Sequence, residues 1–428
     1  MKIVLVIFCL LVPWGARGQE VSASEVQHLS TVYNEFGVRV FLELCQSRAT
    51  QNVFFSPAGA MQVLSLIYNG AQGETRATMG KVFEVEHLSL EDVNRINARL
   101  RMVWSGTNRG ARRNADGSAS SGTTEGVEIL CANSIWASPG IQFAEDFRQA
   151  SLRFYEADLR TVDLTSPATV EAINHWAEGK TRGLITRVFG EPLSSDTPMV
   201  LINALYFDGA WSRPFDKKLT LNKEFTFANG GKTIGPRMSQ KGYYHYFETA
   251  QFQMVRLPYG DRRSTEMVVV LPAKGVGLTG FLADMNGKLE GWLQAGQSTR
   301  GEIGLPRFHC ADQHDLKVAL TTLGLKNLYT SANLAGFGRG VPSGVGRIFQ
   351  KAVIQSDEDG TQAAAISWGT LAFHDATNKE PDPFVMLVDR PFFFAIRDKA
   401  SGTLLFLGII NDPQTSMKPG DSLDRPAP

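Results

Sequence analysis

Two kinds of hydrophobic periodicity, separated by a polar gap, limit what this chain can fold into. Up to about residue 104 the apolar residues recur at helical spacing; after residue 126 they alternate or cluster in short runs. "EVQHLSTVYNEFGVRVFLELCQ" places Leu29, Val32, Tyr33, Phe36, Val40 and Leu44 on one helical face. "SPAGAMQVLSLIYNGA" offers Ser56 as a cap, Pro57 in the first turn and Gly70 near the stop, predicting a second helix. A third is expected over about 90–104. "SGTNRGARRNADGSASSGTTEG" (105–126) has no periodicity and reads as a flexible polar insertion. Beyond it, "VEILCANSIWA", "PMVLINALYFDGAW", "FQMVRLPYG", "EMVVVLPA", "FVMLVDRPFFFAIRD" and "GTLLFLGIIN" read as strands. Helices first, then strands without strict alternation, predict an α+β fold.

The start of the chain, "MKIVLVIFCLLVPWGARGQ", has Lys2, an apolar run from Ile3 to Val12, then small residues. That is the pattern of a secretory signal peptide, expected to be removed after Gly18, and the run is too short to span a bilayer stably. No later run approaches a membrane span, so the product (19–428) is expected to be secreted, extracellular and soluble. With 43 basic against 43 acidic residues there is no global pull towards nucleic acid or membrane. Cys45, Cys131 and Cys310 follow the leader, and an odd count leaves at least one thiol unpaired.

Motifs for catalysis are missing: no G-x-S-x-G elbow, no H-E-x-x-H, no P-loop. His309, Cys310 and His314 form the nearest approach to a metal cluster but lack a second paired ligand set. Gly338, Gly340, Gly344 and Gly346 make no strand-to-helix phosphate loop. An enzyme is not expected, and neither a cofactor nor a metal is implied.

"DEDGTQAAAIS" (357–367) stands apart from all of these. Alternation from Thr361 puts Thr361, Ala363, Ala365, Ser367 and Gly369 on one face, all small and uncharged. Gln362, Ala364, Ile366, Trp368 and Thr370 occupy the other. Gly360 gives the backbone conformational freedom just before that alternation begins. The stretch is competent to be a strand, yet it sits where no sheet of its own is in view.

Six segments then fall in order over nearly the whole expected mature chain: "NVFFSPAGAMQVLSLIYNGAQGET", "LINALYFDGAWSRPF", "LPRFHCADQHDLKVALTTLGL", "DEDGTQAAAIS", "DRPFFFAIRD" and "FLGIINDP". Together they resemble the serpins, the serine protease inhibitor family, and most of all its plasminogen activator inhibitor and nexin subgroup. The resemblance implies one domain with three β-sheets, eight or nine helices and an exposed reactive-centre loop, here about 358–385. It also implies a mechanism: a protease cuts the loop and is held as an acyl-enzyme while the loop inserts as a new strand in the main sheet. Glu358, Gly360, Thr361, Gln362, Ala363, Ala364, Ala365 and Ser367 match the hinge. On this picture insertion gains two ladders of hydrogen bonds, each worth roughly 0.5–1.5 kcal/mol net, and the starting fold is metastable.

The family holds that barrier at a breach, matched here by Trp211, and at a shutter matched by Ser56, Asn203 and Gln350. Arg307, after "LP", matches the basic partner of the hinge carboxylate at Glu358. Two shutter positions depart from the common pattern: Gly59 replaces a small hydroxyl residue, and Gln350 replaces a histidine. Either the chain is a labile inhibitor, or it is a drifted, non-inhibitory relative.

The cut bond is ambiguous. Family spacing forward from Gly360 lands on His374, followed by Asp375; spacing backward from Arg390 lands on Glu380, so the loop is longer than usual by about six residues. Lys379, before Glu380, is the only basic residue between Thr361 and Glu380 and suits a trypsin-like pocket. Phe373 suits a chymotrypsin-like one. Arg95, Arg99, Arg101, Arg109, Arg112 and Arg113 lie on the third helix and in the insertion. The resemblance implies a heparin-like polysaccharide there, for which planar guanidinium forks are suited; the plain alternative is a solvated face with a basic tail. Three readings stand: an inhibitor of a secreted serine protease, a non-inhibitory extracellular carrier, and a glycosaminoglycan-binding protein.

Overall fold

Ser22 opens the first helix, Ala23–Gln46, with a reciprocal cap: its hydroxyl accepts from the Glu25 N–H, and the Glu25 carboxylate accepts from the Ser22 N–H. The computed structural model describes residues 21–106, 126–361 and 382–414. The expected leader, most of the polar insertion and the hinge from Gln362 onward lie outside these residues. In the helix Pro57–Gly70 every residue is buried, as expected of a helix apolar on all sides. Ser56 caps it and Pro57 occupies its first turn. The third helix runs Leu90–Gly106.

A polar network fixes that helix against its neighbours. Asn97 Nδ2 donates to Tyr33 Oη at 2.9 Å, and Tyr155 Oη donates to Asn94 Oδ1 at 2.7 Å. Asn69 and Asn94 exchange amide hydrogen bonds.

Among the described residues there are ten α-helices, two of only four residues, and three sheets. A nine-stranded sheet packs into the main core. A six-stranded sheet has the spatial order Phe308–Asp315, Arg347–Ser356, Met199–Ala210, Val127–Ala137, Asp158–Thr161, with Gly360–Thr361 added beside Met199–Ala210. The third is a two-stranded ribbon. The six-stranded sheet is buried on both faces. Met199, Leu201, Leu205 and Phe207 enter the main core, whereas Val200, Ile202 and Ala204 enter a second cluster with Trp136, Trp176 and Phe349. This explains the near-continuous apolar run of "PMVLINALYF".

"FVMLVDRPFFFAIRD" is two strands rather than one. Phe384–Leu387 pairs parallel with Gln297–Pro306, while Phe392–Asp398 lies between Thr265–Pro272 and Leu404–Ile410. Pro391 separates them, lacking the N–H a continuous strand would need.

Candidate functional site

The site is a seam between two parallel strands. Met199–Ala210 and Arg347–Ser356 pair from Val200 opposite Arg347 up to Tyr206 opposite Val353, and the pairing stops there. Past Ser356 the chain reverses. The Asp357 N–H donates to the Gly360 carbonyl at 2.8 Å, and the Asp357 carboxylate accepts from the N–H groups of Asp359 and Gly360 at 3.0 and 3.2 Å. Gly360 and Thr361 then run back antiparallel to Ala210 and Gly209. Below that point the two strands of the seam are bonded directly to each other.

Gly360 is required at the reversal. Its φ is +148°, and a Cβ there would lie 2.2 Å from the Gly209 carbonyl oxygen. Thr361 is buried and its hydroxyl bonds Tyr259 Oη at 2.8 Å, so this first hinge residue faces inward.

The top of the seam is closed by Trp211 and a group of charges. Trp211, also buried, stacks on Tyr259 with centroids 4.4 Å apart and donates from Nε1 to the Asp357 carbonyl at 2.9 Å. Its backbone N–H donates to the Asp359 carbonyl, and the Phe215 N–H to the Glu358 carbonyl. Glu358 is buried and accepts from Arg307 Nε at 2.9 Å and Nη2 at 2.6 Å, and from the Thr220 hydroxyl. Burial pushes its carboxyl up, but the hydrogen bonds from Arg307 and Thr220 outweigh burial and hold it below its usual range. Asp357, raised first by burial, goes the other way. Lys217 Nζ reaches Asp359 Oδ2 at 2.6 Å.

Lower down, the closure is neutral and wholly buried. Gln350 Oε1 accepts from the Ser56 N–H at 2.7 Å, and its Nε2 donates to the Ser56 carbonyl at 2.9 Å and to Asn203 Oδ1 at 3.0 Å. One side-chain amide thus pairs with a backbone peptide and ties it across the seam. Asn203 Nδ2 donates onward to Asn133 Oδ1 at 2.8 Å, and Ser56 Oγ donates to the Leu405 carbonyl at 2.5 Å. At Gly59 the helix meets the strand directly: a Cβ would lie 2.3 Å from Asn203 Oδ1 and 2.5 Å from Leu205 Cδ1. A side chain at Gly59 requires the ends of Asn203 and Leu205 to shift.

Cys310, Asp312 and His314 face inward while His309 does not. His314 Nε2 lies 3.0 Å from Asp312 Oδ2 and 3.1 Å from the Phe54 carbonyl, and Asp312 also accepts from Arg48 at 2.6 Å. Both neighbours of Nε2 are acceptors, so Nε2 is the nitrogen placed to donate. Cys45, Cys131 and Cys310 are all unpaired thiols.

The basic group is less uniform than its spacing implies. Arg95 lies 3.2 Å from Glu91, Arg101 is largely buried and 2.6 Å from Glu156, and Arg99 is exposed. Arg109, Arg112 and Arg113 lie outside the described residues, as do Gln362, Ala363, Ala364, Ala365, Ser367, His374, Asp375, Lys379 and Glu380. The sequence reading did not include Asn133, Lys217, Thr220 and Tyr259. All reach the site from distant elements with no local pattern to mark them. No helix among the described residues is long and apolar enough to cross a membrane.

Comparison with known proteins covers the same ground. The family model described as serpin (serine protease inhibitor) matches residues 31–413. Rat (Rattus norvegicus) glia-derived nexin is 27% identical over 397 residues, covering 90% of this chain and 94% of the relative. The crystal structure of native protease nexin-1 with heparin superposes with a TM-score of 0.77 at 26% identity, covering 91% of this chain and all of the other. Human thyroxine-binding globulin, solved with its ligand, shares the fold with a TM-score of 0.77 at 21% identity, covering 91% of this chain and all of the other.

Proposed function

The chain belongs to the serpin family, and from that premise we propose that it is a secreted inhibitor that traps serine endopeptidases by inserting its cleaved loop into the seam. One observation carries the reading: Gly360 and Thr361 already pair with Gly209 and Ala210 where the ladder between the two central strands ends. The entering strand has its first register fixed. Each further residue separates one position of the parallel ladder and forms antiparallel pairs on both sides. The net gain is one ladder, at roughly 0.5–1.5 kcal/mol per hydrogen bond. Antiparallel pairing is slightly the more stable kind.

Thr361 points into the core, so in the proposed inserted strand period-two alternation would turn Ala363, Ala365 and Ser367 inward, where small side chains are needed, and Gln362 and Ala364 towards the second cluster. The bond cut is Lys379–Glu380 for a trypsin-like target, with His374–Asp375 as the alternative that keeps the hinge at family length. Among the described residues Arg99 is the part of the basic group open to a heparin-like chain, since Arg95 and Arg101 sit against carboxylates. The similar nexin-1 structure, solved with heparin, supports a polysaccharide partner.

Trp368 and the lengthened loop favour a second reading, a non-inhibitory carrier. Incubation with trypsin-like and chymotrypsin-like proteases separates the two. An SDS-stable adduct, lost in Ala365→Arg while loop cleavage persists, supports inhibition, because a buried unpaired charge opposes insertion. Cleavage without adduct in the parent chain, or unchanged adduct in Ala365→Arg, overturns it.

A further inference from the structure

Two histidines far apart in the sequence meet on the surface near the start of the first helix. On Ala23–Gln46 the residues Val26, Leu29 and Ser30 are buried, and His28 is left facing outward. His87 is exposed too, in the turn between the helices Gly73–Val82 and Leu90–Gly106. Their ring centroids are 5.7 Å apart and the ring planes are tilted by 59°. The backbone under His87 is fixed as firmly as a helix. Val85 is buried, its N–H donates to the Gly80 carbonyl at 2.9 Å, and its carbonyl accepts from the Leu88 N–H at 2.9 Å.

Imidazole nitrogen suits the late first-row transition metals, and a second ring held close by makes the second bond intramolecular. With a Zn–N bond of about 2.0–2.1 Å and roughly 1.1 Å more to each ring centre, two imidazoles on one tetrahedral ion have centroids about 5.2 Å apart. The observed spacing of 5.7 Å exceeds that by about 0.5 Å. Rotation of two exposed side chains closes such a gap. No hydrogen bond or ion pair engages either ring among the described residues. Carboxylates shape the local field. Glu25 stands one turn before His28, and its carboxyl feels the charge of Asp92 in the first turn of Leu90–Gly106. Both carboxylates are already committed, Glu25 to the Ser22 cap and Asp92 to the Ser89 hydroxyl. No ready group of three histidine, cysteine or carboxylate ligands forms among the described residues, so the two rings are the whole protein share of a site here.

We propose that His28 and His87 together bind one divalent transition-metal ion of the zinc class, through one nitrogen from each ring, with water in the remaining positions. Calcium and magnesium take oxygen ligands, so this donor set discriminates against them. The ion ties the start of the first helix to the turn that leads into the third. The unfolded chain does not hold the two rings together, so the ion stabilises the folded one by mass action. The site stands whether or not the chain inhibits a protease.

Calorimetric titration of the full mature chain with Zn²⁺, and with Mg²⁺ for comparison, tests the site. One equivalent of Zn²⁺ is expected there, and no Mg²⁺ at the same concentrations. His28→Gln and His87→Gln each change an exposed side chain, and each alone should weaken Zn²⁺ binding by about fivefold or more, because the second bond is lost. His175→Gln, at an exposed histidine on another helix, should leave it unchanged. Zn²⁺ should raise the thermal midpoint of the parent and of His175→Gln, but not of the other two variants. Without metal all four should share one midpoint, so a folding fault cannot pass for lost binding. Zn²⁺ affinity closer than about fivefold to the parent in either His28→Gln or His87→Gln overturns the proposal. An equal loss in His175→Gln, or a midpoint raised alike in all four chains, overturns it as well.

Discussion

At the top of the seam the closure is made by Glu358, Arg307, Asp359 and Lys217, with the cations partly in water; lower down it is made by Ser56, Asn203 and Gln350, neutral and fully buried. The upper group holds the chain that leads into Gly360, and the lower group holds two strands and a helix. Charged pairs near water are weak and respond to salt and pH, whereas buried amide networks resist both. On the proposed mechanism an entering strand would start where the closure is adjustable and slow where it is not.

The largest effect is expected at Gln350. Gln350→Ala leaves the Ser56 N–H and Asn203 Oδ1 buried without their partners, on the order of 1–3 kcal/mol for each group. The Ser56 carbonyl is spared because the Ala60 N–H also donates to it. The variant should lose several degrees in its thermal midpoint and convert faster to inserted or polymeric forms on native gels, equally in low and high salt. A midpoint within a degree of the parent would mean that the lower closure does not hold the seam.

Gly59→Ser sharpens the same point. If the family's hydroxyl were simply missing, restoring it would stabilise the chain. The close approach of Asn203 and Leu205 to Gly59 implies overpacking instead, costing about 1–3 kcal/mol by pushing Asn203 away from Gln350. Faster conversion is expected; slower conversion would show that the backbone gives way and the hydroxyl finds a partner. Gly360→Ala is the matching change at the top. Its Cβ meets the Gly209 carbonyl in a backbone region costly to other residues, about 1–3 kcal/mol. It should prevent the first antiparallel pair, lowering adduct yield in favour of cleaved loop. Unchanged partition would mean that insertion does not begin at the Gly360 register.

The helices and most strands of the seam were legible because their interior faces are apolar. Pro57–Gly70 and Val127–Ala137 fall where cap and alternation put them. Phe308–Asp315 and Arg347–Ser356 were harder, because Asp312, His314 and Gln350 occupy inward positions and interrupt the apolar alternation. Those interruptions are the polar network itself, so what hid the strands is what closes the seam. The residues of the seam were assigned by resemblance; their partners Tyr259, Thr220 and Asn133 come together only through long-range packing. Spacing along the chain also cannot reveal that Glu156 faces Arg101.

The smallest expected effect separates the two closures most sharply. Glu358 has a lowered carboxyl pKa, so its stabilising contribution is complete above the unfolded value and disappears as pH falls through the folded one. Arg307 is 43% exposed, which screens the pair towards about 0.4–1 kcal/mol, or roughly twofold to fivefold in a rate. Asp357, raised by burial, has the opposite sign: its cost at neutral pH is relieved on acidification. The parent's own pH curve therefore mixes opposing contributions and tests little. The ratio of conversion rates for Glu358→Gln and the parent largely isolates one of them, because Asp357 is present in both and is raised first by its own burial, with the Glu358 charge the least of its causes. That ratio should be about two to five at neutral pH and low salt, and shrink towards one both in high salt and as the pH falls below the ordinary glutamate value through the lowered folded one. For Gln350→Ala the corresponding ratio should stay constant across salt. A Glu358→Gln ratio that ignored salt and pH would place the upper closure in the same class as the lower one, and the contrast between them would fail.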